Sequence, residues 1–66
     1  MEFKDKVKSV RKKIYLSQEA LAKELGVAFA TVNRWERGWT EPNYKSQKAF
    51  SDFCKANGID EKSLED

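Results

Sequence analysis

An all-α fold, a compact bundle of four or five short helices, is the class this sequence predicts, and three observations predict it. Apolar residues recur at spacings of three and four, which gives a helix one face to bury. Only three glycines and one proline interrupt the 66 residues, too few turn formers for a sandwich of short strands. No strand-like alternation runs longer than a few residues, and no segment repeats. A chain of 66 residues makes one domain, 1–66, close to the lower size at which a core can sustain folding alone. Its eight aromatics and regular aliphatics supply that core and argue against disorder.

Phe3, Val7, Val10 and Ile14 follow one another at four, three and four residues, the stripe of a first helix over about 2–13. Ser17 is a good N-cap for a second helix, and Glu19 suits its positive end. Ala20, Leu21, Ala22 and Leu25 are the apolar members of that helix. Gly26 follows the last of them and can take the left-handed conformation that ends a helix and turns the chain. Val27 lies in the turn, and a third helix spans about 29–37 until Gly38 stops it. The TEPN stretch, 40–43, is a loop, with Pro42 unable to continue a helix and Asn43 able to cap the next one. Ala49, Phe50, Phe53 and Cys54 mark a fourth helix closed by Asn57 and Gly58. Asp60 can cap a last short turn that carries Leu64.

Charge is distributed unevenly. The net charge is only +2, yet residues 1–14 carry six Lys or Arg against two acids, and residues 58–66 carry one Lys against four acids. A basic front and an acidic tail suit a protein that turns one face to a polyanion, although ordinary solvated helix surface explains the asymmetry equally well, and solvation rather than phosphate contact is the reading for the first-helix lysines. The chain has no histidine, which removes the commonest general base and metal ligand, and no phosphate-binding glycine pattern. Cys54 stands alone and reads as a small core filler rather than a ligand or nucleophile. No enzymatic activity, cofactor or metal is therefore expected. No apolar run approaches the roughly 20 residues of a membrane span, the start MEFKDKVK is too charged for a signal peptide, and one cysteine forms no internal disulfide. A cytoplasmic protein without a membrane partner is the expectation.

Two helices joined by a glycine turn over about 17–37 form a helix-turn-helix, whose second helix can enter the major groove of DNA. At about 100° per residue, Val32 and Trp35 fall on one side of the third helix, so Trp35 is assigned to the core, facing the second helix. Phe29, Ala30, Asn33, Arg34 and Arg37 spread over the opposite side. That outward side begins apolar and ends in an amide and two guanidiniums. Small apolar and aromatic side chains recognise the thymine methyl, asparagine bonds adenine bidentately, and arginine does the same to guanine. Phe29, Ala30, Asn33 and Arg34 are thus chemically able to read bases. The competing use for an exposed Phe29 is a groove on a partner protein.

The run LSQEALAKELGVAFATVNRWERGWTEPN, residues 16–43, resembles the helix-turn-helix of the Cro/C1-type repressors, the XRE family. Gln18, Ala22, Gly26, Val27, Val32, Trp35, Glu36, Gly38 and Pro42 stand at family positions. The resemblance implies a lambda repressor-like fold of five helices and a double-stranded DNA partner. It also implies base contacts from Phe29, Ala30, Asn33 and Arg34, and contacts to the DNA backbone from Gln18, Arg37, Trp39 and Thr40. Related repressors carry a basic and an acidic residue where this chain has Arg11 and Glu36, which implies a structural ion pair tying the first helix to the end of the third. Three positions depart from the family pattern. Ala28 replaces the usual serine or threonine cap of the third helix, a loss of about 1 kcal/mol. Trp39 occupies a position commonly polar, and the fourth helix is poor in leucine, which leaves a homodimer on DNA open.

The leading expectation is a small bacterial or phage transcriptional regulator that binds double-stranded DNA sequence-specifically. Two alternatives accompany it. In one, the module targets a longer protein to DNA, such as a modification enzyme or a helicase. In the other it is an antitoxin-type protein-interaction module. Binding to duplex DNA separates the last from the first two.

Overall fold

The computed structural model describes residues 2–65. Asp66, counted above in the acidic tail, lies outside the described residues. The chain forms α1 (Phe3–Lys13), α2 (Gln18–Leu25), α3 (Phe29–Arg37) and α4 (Tyr44–Ala56), followed by a 3₁₀ turn over Glu61–Glu65. No strand occurs among the described residues, and no helix is long and apolar enough to cross a membrane. Helix α1 begins one residue later than its apolar stripe suggests, with Glu2 as an extended cap.

Local chemistry accounts for most boundaries. Ser17 Oγ accepts the Ala20 N–H at 3.0 Å, and Asn43 Oδ1 accepts the Ser46 N–H at 2.8 Å, each satisfying one amide that the helix leaves unpaired. Asp60 does the same for the final turn, accepting from Lys62 N–H at 3.0 Å. Gly26 takes φ 71° and lets Val27 N–H reach back to the Ala22 carbonyl at 3.0 Å, which closes α2 and aims the chain toward α3. The same closure ends α1, but there the left-handed residue is Tyr15, at φ 58°. Leu16 N–H bonds the Arg11 carbonyl at 2.9 Å across it. No glycine marks that turn in the sequence, and a tyrosine in it bears a cost of about 1–2 kcal/mol.

Packing places α3 against both α1 and α2, α4 against α2, and the 3₁₀ turn against α1. Val7, Val10, Leu21, Val32, Phe50 and Cys54 are the most deeply buried side chains, with Ala22, Leu25, Trp35, Ile59 and Leu64 completing the core. Trp35 is buried in the core, as its place on the inward side of α3 demands, and its ring meets Phe3 of α1 edge-on at 5.3 Å between ring centroids. The Phe3 ring also meets Phe50 of α4 at 5.2 Å. A single ring thus joins three helices, in the edge-to-face geometry that adds about 0.5–1.5 kcal/mol per pair beyond area burial. Burial pushes the Cys54 thiol up to about 11, with Glu61 adding to the effect and Lys6 opposing it. The thiol is neutral and serves as packing.

Candidate nucleic-acid interface

Helix α3 is amphipathic in the sense its sequence demands. Val32, Trp35 and Glu36 are buried, while Phe29, Ala30, Arg34 and Arg37 are exposed. Ala28 begins the helix with extended backbone and no side-chain cap, so the exposed start of the helix, Ala28 to Ala30, presents methyl groups and one phenyl ring. Phe29 is 52% exposed, an unusual outlay of apolar surface for a domain with so small a core. Gly38, at φ 75°, ends α3, and the Trp39 N–H closes it on the Arg34 carbonyl at 3.0 Å.

That closure throws Trp39 outward. Its indole is 67% exposed, and the Arg37 guanidinium lies 4.9 Å from the ring centroid in a cation–π contact. Among the described residues, neither Arg34 nor Arg37 has a carboxylate partner. Both positive charges remain available to an external anion. Thr40 follows on the same exposed segment, and Pro42 turns inward and is buried.

Beneath this surface lies the one buried charge of α3. Glu36 is 4% exposed and takes both arms of the Arg11 guanidinium, Nε to Oε2 at 2.7 Å and Nη2 to Oε1 at 2.8 Å. Arg11 Nη1 also donates to the Leu16 carbonyl at 3.1 Å, so the same side chain braces the α1–α2 turn. Desolvation raises the Glu36 pKa. Hydrogen bonds from Arg11 and Gln18, with the charges of Arg11 and Lys8, outweigh that and hold the carboxyl below its ordinary value. The hydrogen bond to Glu36 correspondingly raises the Arg11 pKa against desolvation. A bidentate guanidinium–carboxylate pair fixes orientation as well as distance, and here it locks α1 to the end of α3.

Of the residues singled out from the sequence, Phe29, Ala30, Arg34, Arg37, Trp39 and Thr40 form one exposed tract along α3 and its exit. Asn33 and Gln18 are half-buried and meet each other, Asn33 Nδ2 donating to Gln18 Oε1 at 3.1 Å. This link between the first turn of α2 and the middle of α3 has no sequence signal beyond the polarity of both residues. Lys4 is a second residue that the sequence does not single out. Its side chain lies over Gly38, so that a Cβ there would sit 3.2 Å from Lys4 Cδ. A cation belongs beside the carbonyl end of a helix, and this one, also 3.5 Å from the Glu2 carboxylate, lies at the end of α3.

The sequence matches the Helix-turn-helix family over residues 7–61. It is 39% identical to the HTH-type transcriptional activator BcrR of Enterococcus faecalis over 61 residues, 92% of this chain and 29% of that protein. It is 38% identical to the Repressor protein C2 of Salmonella phage P22 over 47 residues, 71% of this chain and 22% of that protein. The chain therefore spans less than a third of the length of these curated relatives. No solved structure matches it significantly.

Proposed function

This chain belongs to the Cro/C1-type helix-turn-helix family, and from that premise we propose that it binds double-stranded DNA sequence-specifically as a small transcriptional regulator. Helix α3 lies in the major groove. The observation that carries this reading is the exposed tract of α3: an apolar first turn, then unpaired guanidiniums, on a helix whose other face is held rigidly by Trp35 and the Arg11–Glu36 pair.

Phe29 and Ala30 supply apolar contact for a thymine methyl, Asn33 suits adenine, and Arg34 suits the two acceptors of guanine. Gln18, Arg37, Trp39 and Thr40 hold the sugar-phosphate backbone. Arg37 brings charge, the Trp39 indole N–H is a donor, and Gln18 lies near the positive end of α2. A homodimer would place two such helices on half-sites about one helical turn apart. The protein acts in the cytoplasm, needs no cofactor and catalyses no reaction.

Selection of bound duplexes from a random library, followed by titration of the winning sequence over a range of salt, tests the proposal. A recurrent motif and a steep salt dependence are expected. Recovery of duplexes with no shared motif, or no binding in low salt, would refute it. A second reading, in which this module directs a longer protein to DNA, draws support from the coverage of the relatives, which are more than three times as long as the matched segments.

A further inference from the structure

Arg37 is the last residue of α3, and Trp39 lies just beyond it, across Gly38. On a continuing helix two residues so spaced point about 200° apart, on nearly opposite faces, and do not meet. Gly38 changes this. Its left-handed backbone, φ 75°, ends the helix, and the Trp39 N–H bonds back to the Arg34 carbonyl at 3.0 Å. That turn brings the indole to the side of α3 that Arg37 occupies, with the guanidinium carbon 4.9 Å from the ring centroid. Both side chains are exposed to solvent. Trp39 belongs neither to the core nor to the apolar residues packed against it, so its ring contributes nothing to core packing.

The two arginines that meet α3 and its exit have different partners. The Glu36 carboxylate takes two N–H groups of Arg11 and cancels its charge. A carboxylate beside Arg37 would do the same and keep a phosphate away, but among the described residues none pairs with it. An aromatic ring attracts a cation through its quadrupole and carries no charge, so the guanidinium keeps its charge and its donors for an external anion. We propose that Trp39 is a positioning residue for Arg37: its ring face holds the guanidinium poised at the exit of α3 to meet a DNA phosphate. The proposal rests on the DNA-binding function above and deepens it, giving the ring a role separate from that of the indole N–H. A free arginine side chain loses rotamer freedom when it docks, and affinity falls by the fraction of time it spends poised. The ring raises that fraction. Affinity rises with it by at most the worth of one exposed cation–π contact, about two- to fivefold. The gain is the same for every sequence, because a phosphate carries no base identity.

The test is a double-mutant cycle on the selected duplex, with Trp39→Phe and Trp39→Leu each made alone and together with Arg37→Ala. Both variants at 39 lack the indole N–H and differ in whether a ring face remains. Neither touches the core, and both keep the backbone N–H that closes α3. With Arg37 present, Trp39→Phe should bind about two- to fivefold more tightly than Trp39→Leu, by the same factor on the selected duplex and on its single-base variants. With Arg37→Ala the two should bind alike. The salt slope should be equal for Trp39→Phe and Trp39→Leu, since the charge at 37 still reaches its phosphate, whereas Arg37→Ala lowers it by about one. In the free protein the ring current of Trp39 should shift the Arg37 side-chain protons in the magnetic resonance spectrum, and Trp39→Leu should abolish the shift. Three results would overturn the proposal and leave DNA binding intact: equal affinities of Trp39→Phe and Trp39→Leu with Arg37 in place, a difference that persists with Arg37→Ala, or an unshifted Arg37 in the free wild type. A wild type that binds no duplex would overturn both.

Discussion

Replacing Glu36 by Gln removes one charge from a buried pair and changes no volume. Arg11 keeps its position over a side chain that now offers one oxygen and one N–H, so one of the two short bonds becomes donor facing donor. Breaking a buried pair from one side costs about 3–5 kcal/mol, because the surviving charge is left without its partner. The Arg11 side chain retains 20% of its exposure and its bond to the Leu16 carbonyl, so water recovers part of that loss. A loss of about 2–4 kcal/mol follows. A domain of this length has about 3–10 kcal/mol in total, so the change removes between about a fifth of its stability and all of it. Urea unfolding reads it directly. With a slope near 1 kcal/mol per molar for a small domain, the midpoint should fall by about 2 M or more.

Acid dependence supplies an independent check on the same residue. The folded-state pKa of Glu36 lies below its unfolded value. Its contribution is therefore fully present above the unfolded value, about 4.3, and is lost as pH falls through the lower folded value. Wild type and Glu36→Gln should differ most near neutrality and converge in acid. The double change Arg11→Met with Glu36→Leu should lose less than Glu36→Gln alone, since replacing both charges leaves none unpaired. A midpoint unchanged within error at neutral pH, or a gap that persists undiminished into acid, would refute the assignment of the pair as a buried clamp.

Three further outcomes are expected. Arg34→Ala should lose about 1–3 kcal/mol of binding and relax preference at one base pair, whereas Arg37→Ala should weaken all sequences alike and lower the salt slope by about one; titrations over salt and single-base changes distinguish them. Trp39 fluorescence, isolated in a Trp35→Phe variant, should be quenched readily by acrylamide in the free protein and shielded once DNA is added; strong shielding without DNA would contradict its exposed position. Ala28→Ser should stabilise the domain by about 1 kcal/mol by capping the exposed start of α3, seen as a higher urea midpoint, and no gain would mean that a hydroxyl there finds no free amide.

Short-range signals carried the helices. Ser17, Gly26, Gly38 and Asn43 mark boundaries because capping and left-handed closure act within four residues of chain, and all four behave in the structure as their types require. The stripe of Phe3, Val7 and Val10, and the sidedness of α3, follow from the helical period alone. The chemistry of Phe29, Asn33 and Arg34 was equally legible, since a residue's donors, acceptors and apolar surface do not depend on the fold. The turn at Tyr15 escaped the sequence because its closing bonds are satisfied without the glycine that usually announces them, in a left-handed conformation that a tyrosine adopts only at a cost.

What the sequence could not contain is which side chains meet across helices. Periodicity puts Glu36 beside Trp35 and Val32 but cannot say that a charge there is tolerable. That depends on Arg11, 25 residues earlier, arriving with both arms at hydrogen-bonding distance; family resemblance, not the residues themselves, suggested the pair. Phe3 joining Trp35 to Phe50, Lys4 lying over Gly38, and Gln18 reaching Asn33 are of the same kind. The physical reason is common to them. Caps and helical faces are set by bonds between near neighbours, so they are written locally. The relative placement of α1, α2 and α3 is set by the packing of the whole core, and only that placement brings Asn33 against Gln18 and Arg11 against Glu36.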